Sequence, residues 1–188
     1  MARQDHTGCN FIDEPVRLGA GSAVERHQVI GAASWKKGAT APTEGFNALY
    51  PYLGFQDGRS DEAYYVIHVP YRRKAGTSIV VEIRWFYSGL LNAGKVLWKC
   101  NYRSSGCNDT PNGLGTEISV LSTADNPRFI TICSTMTTDI IDANLTADDD
   151  LALHIWRDGG DLTDTLTDTA KLLSVHVYFT MNKFGNDI

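Results

Sequence analysis

Hydrophobic and polar residues alternate with a period of two along most of this chain, the spacing of a strand with one buried and one wet face. Over residues 78–87, Ile79, Val81, Ile83 and Trp85 fall on one side and Glu82 and Arg84 on the other. A slip of one residue would drive both charges into the core, so the register is strongly specified. Residues 95–103 repeat the pattern, with Val96, Trp98, Cys100 and Tyr102 inward and Lys99, Asn101 and Arg103 outward. Similar runs predict strands over 63–69, stopped by Pro70, and over 116–121, 128–134, 151–157 and 172–179. Residues 139–145 are the only candidate for a helical turn.

The connecting segments carry turn chemistry. Residues 104–115 are rich in Gly, Asn and Pro, residues 38–43 read as a loop, and residues 158–169 form a long Asp/Thr/Gly excursion between two strands. Short strands separated by turn clusters, with almost no helix, predict an all-β fold. Counting from Phe46 gives about eight antiparallel strands, the number of a jelly-roll β-sandwich. Two sheets, each with one wet face, suit the alternation. No internal repeat of fixed period points to a propeller or β-helix.

Residues 1–45 differ, with no sustained period and with short strand candidates at 16–18 and 27–30. Their apolar residues include Phe11, Ile12, Val16, Leu18 and Trp35. The expected organisation is therefore an extended N-terminal arm, 1–45, that packs on its own domain or on a neighbour, followed by a sandwich domain, 46–188.

Bulk properties narrow the picture only slightly. At 188 residues, a single domain can bury roughly 70% of its unfolded-chain surface, so neither disulfide nor metal is needed as a staple. A net charge of −5 leaves no electrostatic footprint for nucleic acid or an anionic membrane. The first residues lack the apolar region of a signal peptide, and no run approaches the ~18 apolar residues of a membrane span. The expectation is a soluble chain made in a cytoplasm. Cys9, Cys100, Cys107 and Cys133 form no CxxC pair; Cys100 and Cys133 lie in apolar strand patterns and read as buried thiols.

Candidate chemistry is sparse. His68, His154 and His176 sit on strands out of phase with the apolar faces. Convergence of the three would make a cupin-type metal site. Each is flanked by aliphatics with no second ligand at metal spacing, so surface or satisfied histidines fit better. Asp148, Asp149, Asp150, Asp158, Asp161, Asp164 and Asp168 match no calcium loop, and a solvated acidic loop that blunts a sheet edge fits better. Asp57, Asp61 and Glu62 read as exposed turn residues. No nucleophile motif occurs. The expectation is no catalytic residue, no metal ligand and no cofactor. Trp85 and Trp98 fall on the apolar phase. Trp156 and Tyr178 do not, and with Phe11, Ile12, Val16, Leu18 and Trp35 they are the candidates for an interface, where aromatics are enriched.

Residues 55–179, about two-thirds of the chain, carry an order of features that resembles a small jelly-roll domain of proteins encoded by tailed bacteriophages. An Asp-Gly turn (Asp57-Gly58) precedes an aromatic strand that ends in Val69-Pro70. An alternating strand ends in Trp85-Phe86-Tyr87, and a Trp98 strand follows. The last pair runs from Leu151 to Arg157, through Asp158-Gly159-Gly160 and an Asp/Thr loop, into Lys171 to Phe179. The resemblance implies a virion protein, commonly a homotrimer, and transfers no catalytic residues. It implies a capsid decoration (cement) protein that sits on the major capsid protein lattice. The chain is short and lacks a shaft, which favours that role over the alternative of a head or tail fibre knob or glycan-binding module. The expected location is the capsid surface, after synthesis in the bacterial host cytoplasm.

Overall fold

The computed structural model describes residues 23–89, 94–113, 115–124, 127–141 and 145–182. Eleven strands cover them: β1 (Ala23–Gly31), β2 (Lys36–Lys37), β3 (Thr43–Asn47), β4 (Tyr50–Phe55), β5 (Glu62–His68), β6 (Val80–Phe86), β7 (Lys95–Ser105), β8 (Thr116–Thr123), β9 (Ile132–Thr135), β10 (Asp150–Arg157) and β11 (Ala170–Asn182). One 3₁₀ turn, Ala32–Ser34, is the only helical element among the described residues. No helix there is long and apolar enough to cross a membrane.

The strands form two antiparallel sheets. One has the order β3-β4-β11-β6-β9, with β1 also on β11; the other has the order β2-β5-β10-β7-β8. The eight strands from β4 onward thus pair as β4·β11 and β6·β9 in one sheet and β5·β10 and β7·β8 in the other. That is the wrapped-hairpin order of a jelly roll. The core lies between the sheets. Trp85 of one sheet and Trp98 of the other meet edge to face at 6.0 Å, and Phe55 meets Trp98 at 5.1 Å. Trp85 Nε1 donates to Ser122 Oγ (3.1 Å) and Ser134 Oγ (3.0 Å), so its buried polar atom is satisfied from both sheets.

The inward phases expected for 79–85 and 96–102 are the buried ones. On β11 the phase changes. A bulge between Leu172 and Ser174 moves the buried set from Ala170 and Leu172 to Val175, Val177 and Phe179. It falls where β4 stops pairing with β11 (at Leu172) and β1 takes over (at Ser174).

Several expectations change. Residues 23–45 are woven into the sandwich: β1 pairs β11, β2 pairs β5 and β3 pairs β4, so residue 45 falls inside a strand. The first part of the expected arm, with Phe11, Ile12, Val16 and Leu18, lies outside the described residues. The hairpin β3–β4 was not foreseen; Gly45, Pro51 and Gly54 interrupt its alternation. The strand expected over 128–134 starts only at Ile132, because Pro127 and Phe129 (φ 66°) make a turn first. In place of the helical turn expected from 139, Ile140 bridges to Ile79, and residues 142–144 lie outside the described residues. Cys133 is exposed, on the outer face of β9, and only Cys100 of the described thiols is buried; burial pushes the Cys100 thiol up to about 12.

The Asp/Thr loop also departs from expectation. Arg157 continues the inward phase of β10 and is fully buried. Its guanidinium holds Asp164 in a two-pronged pair, Nε to Oδ2 at 2.9 Å and Nη2 to Oδ1 at 2.7 Å. It also donates to the carbonyls of Phe55, Leu166 and Asp168. Asp164 Oδ2 accepts the Leu97 N–H, and Asp168 accepts the N–H groups of Ser88 and Gly89. The loop is therefore tied into the body through carboxylates rather than solvated throughout. Asp61 is likewise buried: it accepts the Gln56 N–H and pairs with Arg59.

Candidate functional site

The outer face of the β2-β5-β10-β7-β8 sheet gathers the most chemistry. Side chains out of phase with the core line up in cross-strand rows there. One row is Tyr64–His154–Asn101, the next Glu62–Trp156–Lys99, and on the other side lie Val66–Ala152–Arg103 and His68–Asp150–Ser105. Tyr64 stacks on His154 with centroids 4.3 Å apart and planes within 5°, and His154 stacks on Trp156 at 4.7 Å.

Glu62 anchors this ladder. Its Oε2 accepts the Tyr64 hydroxyl at 2.8 Å and its Oε1 accepts the Ala39 N–H at 3.0 Å. Burial pushes the Glu62 carboxyl up, but these bonds and the nearby His154 outweigh it and hold the carboxyl below its usual range. Burial, and then the Glu62 carboxylate, push the Tyr64 hydroxyl up. His154 Nε2 lies 3.2 Å from Glu62 Oε2, off the line of a hydrogen bond. Desolvation depresses His154 although Glu62 opposes it, so the imidazole favours its neutral form.

Ala152 is the smallest side chain in these rows, and a depression opens above it. The hollow is about 400 Å³, bounded by Tyr64 and His154 on one side, Asn101 and Arg103 on the other, and Pro111 and Gly113 of the β7–β8 loop. Arg103 Nη2 donates to the Thr110 carbonyl at 3.4 Å, tethering that loop over the sheet. A second hollow of about 610 Å³ shares Ser105, Pro111 and Ala152 and continues toward His68, Asp109, Asp148 and Asp150. His68 Nε2 lies 3.0 Å from Asp148 Oδ1 there. The two form one groove with an aromatic end and an acidic end.

The opposite outer face carries a smaller cluster. His27 stacks on His176 at 5.4 Å and leans on Tyr178 at 5.3 Å, while Glu82 pairs with Arg84 at 2.8 Å. His176 is buried and its Nδ1 has no hydrogen-bond partner. Desolvation, then the Arg84 charge, depress its proton affinity, with Glu82 opposing and His27 adding to the fall.

The expected interface residues therefore separate. Trp156 and Tyr178 lie part-exposed on opposite faces of the sandwich. Trp35 is in the core, packed against Tyr65 at 5.6 Å. His68 and His154 share a face but are four residues apart along it, and His176 is on the other sheet, so the three imidazoles do not converge. Among the described residues no group of three His, Cys, Asp or Glu side chains is placed to hold a metal.

Sequence reasoning missed the partners of Trp156 in the stack, Tyr64 and His154, although their outward phase was readable. It also missed the tip of the β3–β4 hairpin. Phe46, Leu49 and Tyr50 are 76%, 91% and 66% exposed there, beside Ala48 at φ 53°.

No family model matches the chain, and no curated protein matches it in sequence. Among solved structures the fold aligns with the carbohydrate-binding module CBM35 from Cellvibrio japonicus Abf62, at TM-score 0.51 and 9% identity over 84% of this chain and 99% of that one. At that identity the likeness is one of fold, and it agrees with the jelly-roll β-sandwich. Looser alignments are to TmCBM27, a module of specific mannan recognition (TM-score 0.41, 10% identity, 85% of this chain and 99% of that one). Another is to infectious bursal disease virus Gx strain (TM-score 0.39, 14% identity, 92% of this chain and 38% of that one).

Proposed function

We propose that this chain is a structural protein of a tailed-phage virion that works by binding rather than catalysis, as a capsid decoration protein on the major capsid protein lattice. The observation that carries the reading is the β3–β4 hairpin tip. Three large apolar side chains, Phe46, Leu49 and Tyr50, stand in water together within five residues of one hairpin. Clustered exposed apolar residues mark contact sites. The sequence resemblance over residues 55–179 supplies the virion context, and self-association as a trimer belongs to the same proposal. Burying the tips against the lattice would stabilise the closed shell by mass action. The test is sedimentation of purified chain with capsids that lack it. The reading expects wild type to co-sediment and Phe46→Ser/Leu49→Ser, at an exposed tip, to fold normally but bind at least tenfold more weakly. Equal binding by the variant would refute the docking role of the hairpin.

A second reading, a fibre knob or glycan-binding module, is favoured by a different observation, the stacked Tyr64–His154–Trp156 ladder beside a walled groove. Virion location is compatible with both, since an outward groove leaves the hairpin free to dock.

A further inference from the structure

The groove above Ala152 combines three properties that select a ligand class. Its shape comes from one small residue. In the row Val66–Ala152–Arg103 only Ala152 leaves room above the sheet, and the tethered loop with Pro111 closes the side. Its walls mix ring surface with directional polar groups, as ligand sites do. Tyr64 offers the ring face not stacked on His154 to the C–H face of a ligand ring, and His154, held between Tyr64 and Trp156, backs it. The Glu62 carboxylate is fixed by Tyr64 and Ala39 and retains acceptor capacity. Asn101 offers an amide. Its charge excludes one class of ligand: Glu62, Asp109, Asp148 and Asp150 border the combined groove against the single guanidinium of Arg103 and the carboxylate-paired His68.

We infer that this groove binds a neutral saccharide, a short run of polyhydroxylated rings without carboxylate, sulfate or phosphate. The inference rests on the glycan-binding reading above and adds to it the place and the charge class of the ligand. A ring stacks on the free face of Tyr64, hydroxyls donate to Glu62, exchange hydrogen bonds with the Asn101 amide and accept from Arg103, and the chain runs over Ala152 toward Asp150. An anionic glycan would enter against the carboxylates and be repelled.

The test is affinity electrophoresis of the full chain in gels containing dextran, mannan or galactan, each run beside dextran sulfate, alginate and polysialic acid. Dextran and dextran sulfate share a backbone, so their comparison isolates charge. The expectation is retardation by at least one neutral polymer and none by the anionic ones. Ala152→Arg, at an exposed position where the new side chain fills the hollow, should weaken retardation at least tenfold. Tyr64→Ala should do likewise, and Leu162→Ser, at an exposed loop position that lines neither hollow, should change nothing. Retardation by anionic polymers alone would overturn the charge class while leaving glycan binding intact. Neutral retardation that Ala152→Arg and Tyr64→Ala leave unchanged would overturn the placement in this groove. No retardation by any polymer would overturn the glycan reading itself.

Discussion

Replacing Arg157 with Met should be among the most damaging single changes in the described structure. The side chain is fully buried, and so is that of its partner Asp164. Removing the guanidinium leaves the Asp164 carboxylate in the interior with only the Leu97 N–H on it at 3.0 Å. It also strips a donor from the carbonyls of Phe55, Leu166 and Asp168. Breaking a buried pair from one side costs about 3–5 kcal/mol. With a urea m-value of about 2–3 kcal/mol/M, the midpoint should fall by about 1–2.5 M. Arg157→Lys should recover little, because one ammonium cannot span a bidentate carboxylate and three carbonyls. The decisive comparison is a double-mutant cycle. Arg157→Met/Asp164→Leu removes both charges, so it should be less damaging than the sum of the singles by about 2–3 kcal/mol. Equilibrium urea unfolding followed by tryptophan fluorescence reads all four proteins. A loss below about 1 kcal/mol for Arg157→Met, or strict additivity in the cycle, would refute the view that this pair ties the 158–169 loop to the body.

Three further outcomes follow from other parts of the fold. Both His154 and His176 bind protons less readily when folded, His154 through desolvation and His176 through desolvation and Arg84. The unfolded chain therefore binds more protons as pH drops below about 6.5, and stability should fall from there until the folded imidazoles titrate; thermal melts between pH 8 and 5 check this, and His176→Gln should flatten the slope. Ser122 and Ser134 share the Trp85 N–H and lie 2.6 Å apart; either serine→Ala change leaves one acceptor, whereas Ser122→Ala/Ser134→Ala orphans the donor and should cost about 1–3 kcal/mol by denaturant titration. A thiol-reactive dye should label the exposed Cys107 and Cys133 within minutes and Cys100 only on unfolding, since burial holds the Cys100 thiol near 12.

The parts of the fold legible in the sequence are those where one face is uniformly apolar. β6 alternates as far as Trp85, β7 as far as Tyr102 and β10 as far as Ile155, so their inward residues could be read directly. β1 shows only as the short candidate at 27–30, because it lies along the rim of the sandwich, where all but Ile30 and Gly31 are exposed and no apolar period is required. β9 shortens because a turn at Phe129 consumes half of an apolar run. Arg157 carried a signal that alternation alone undervalues: a cation in the inward phase of β10, followed seven residues on by Asp164. The site was half visible. Trp156 stood out by its phase, but its partners come from β5 and from two residues earlier on β10, and a stack across strands depends on pairing that one strand's pattern does not contain. The hairpin tip was invisible because Phe46, Leu49 and Tyr50 look like core residues until the sheet order places them outside.

We propose that this chain is built into a virion and acts there by binding. The most direct test is its copy number in purified phage particles, measured by quantitative mass spectrometry against the major capsid protein. Hundreds of copies per particle are expected, in a fixed ratio to the capsid lattice. A few to a few tens would move the chain to a fibre, neck or tail and favour the knob reading. Its absence from particles that package DNA and infect normally would contradict the account.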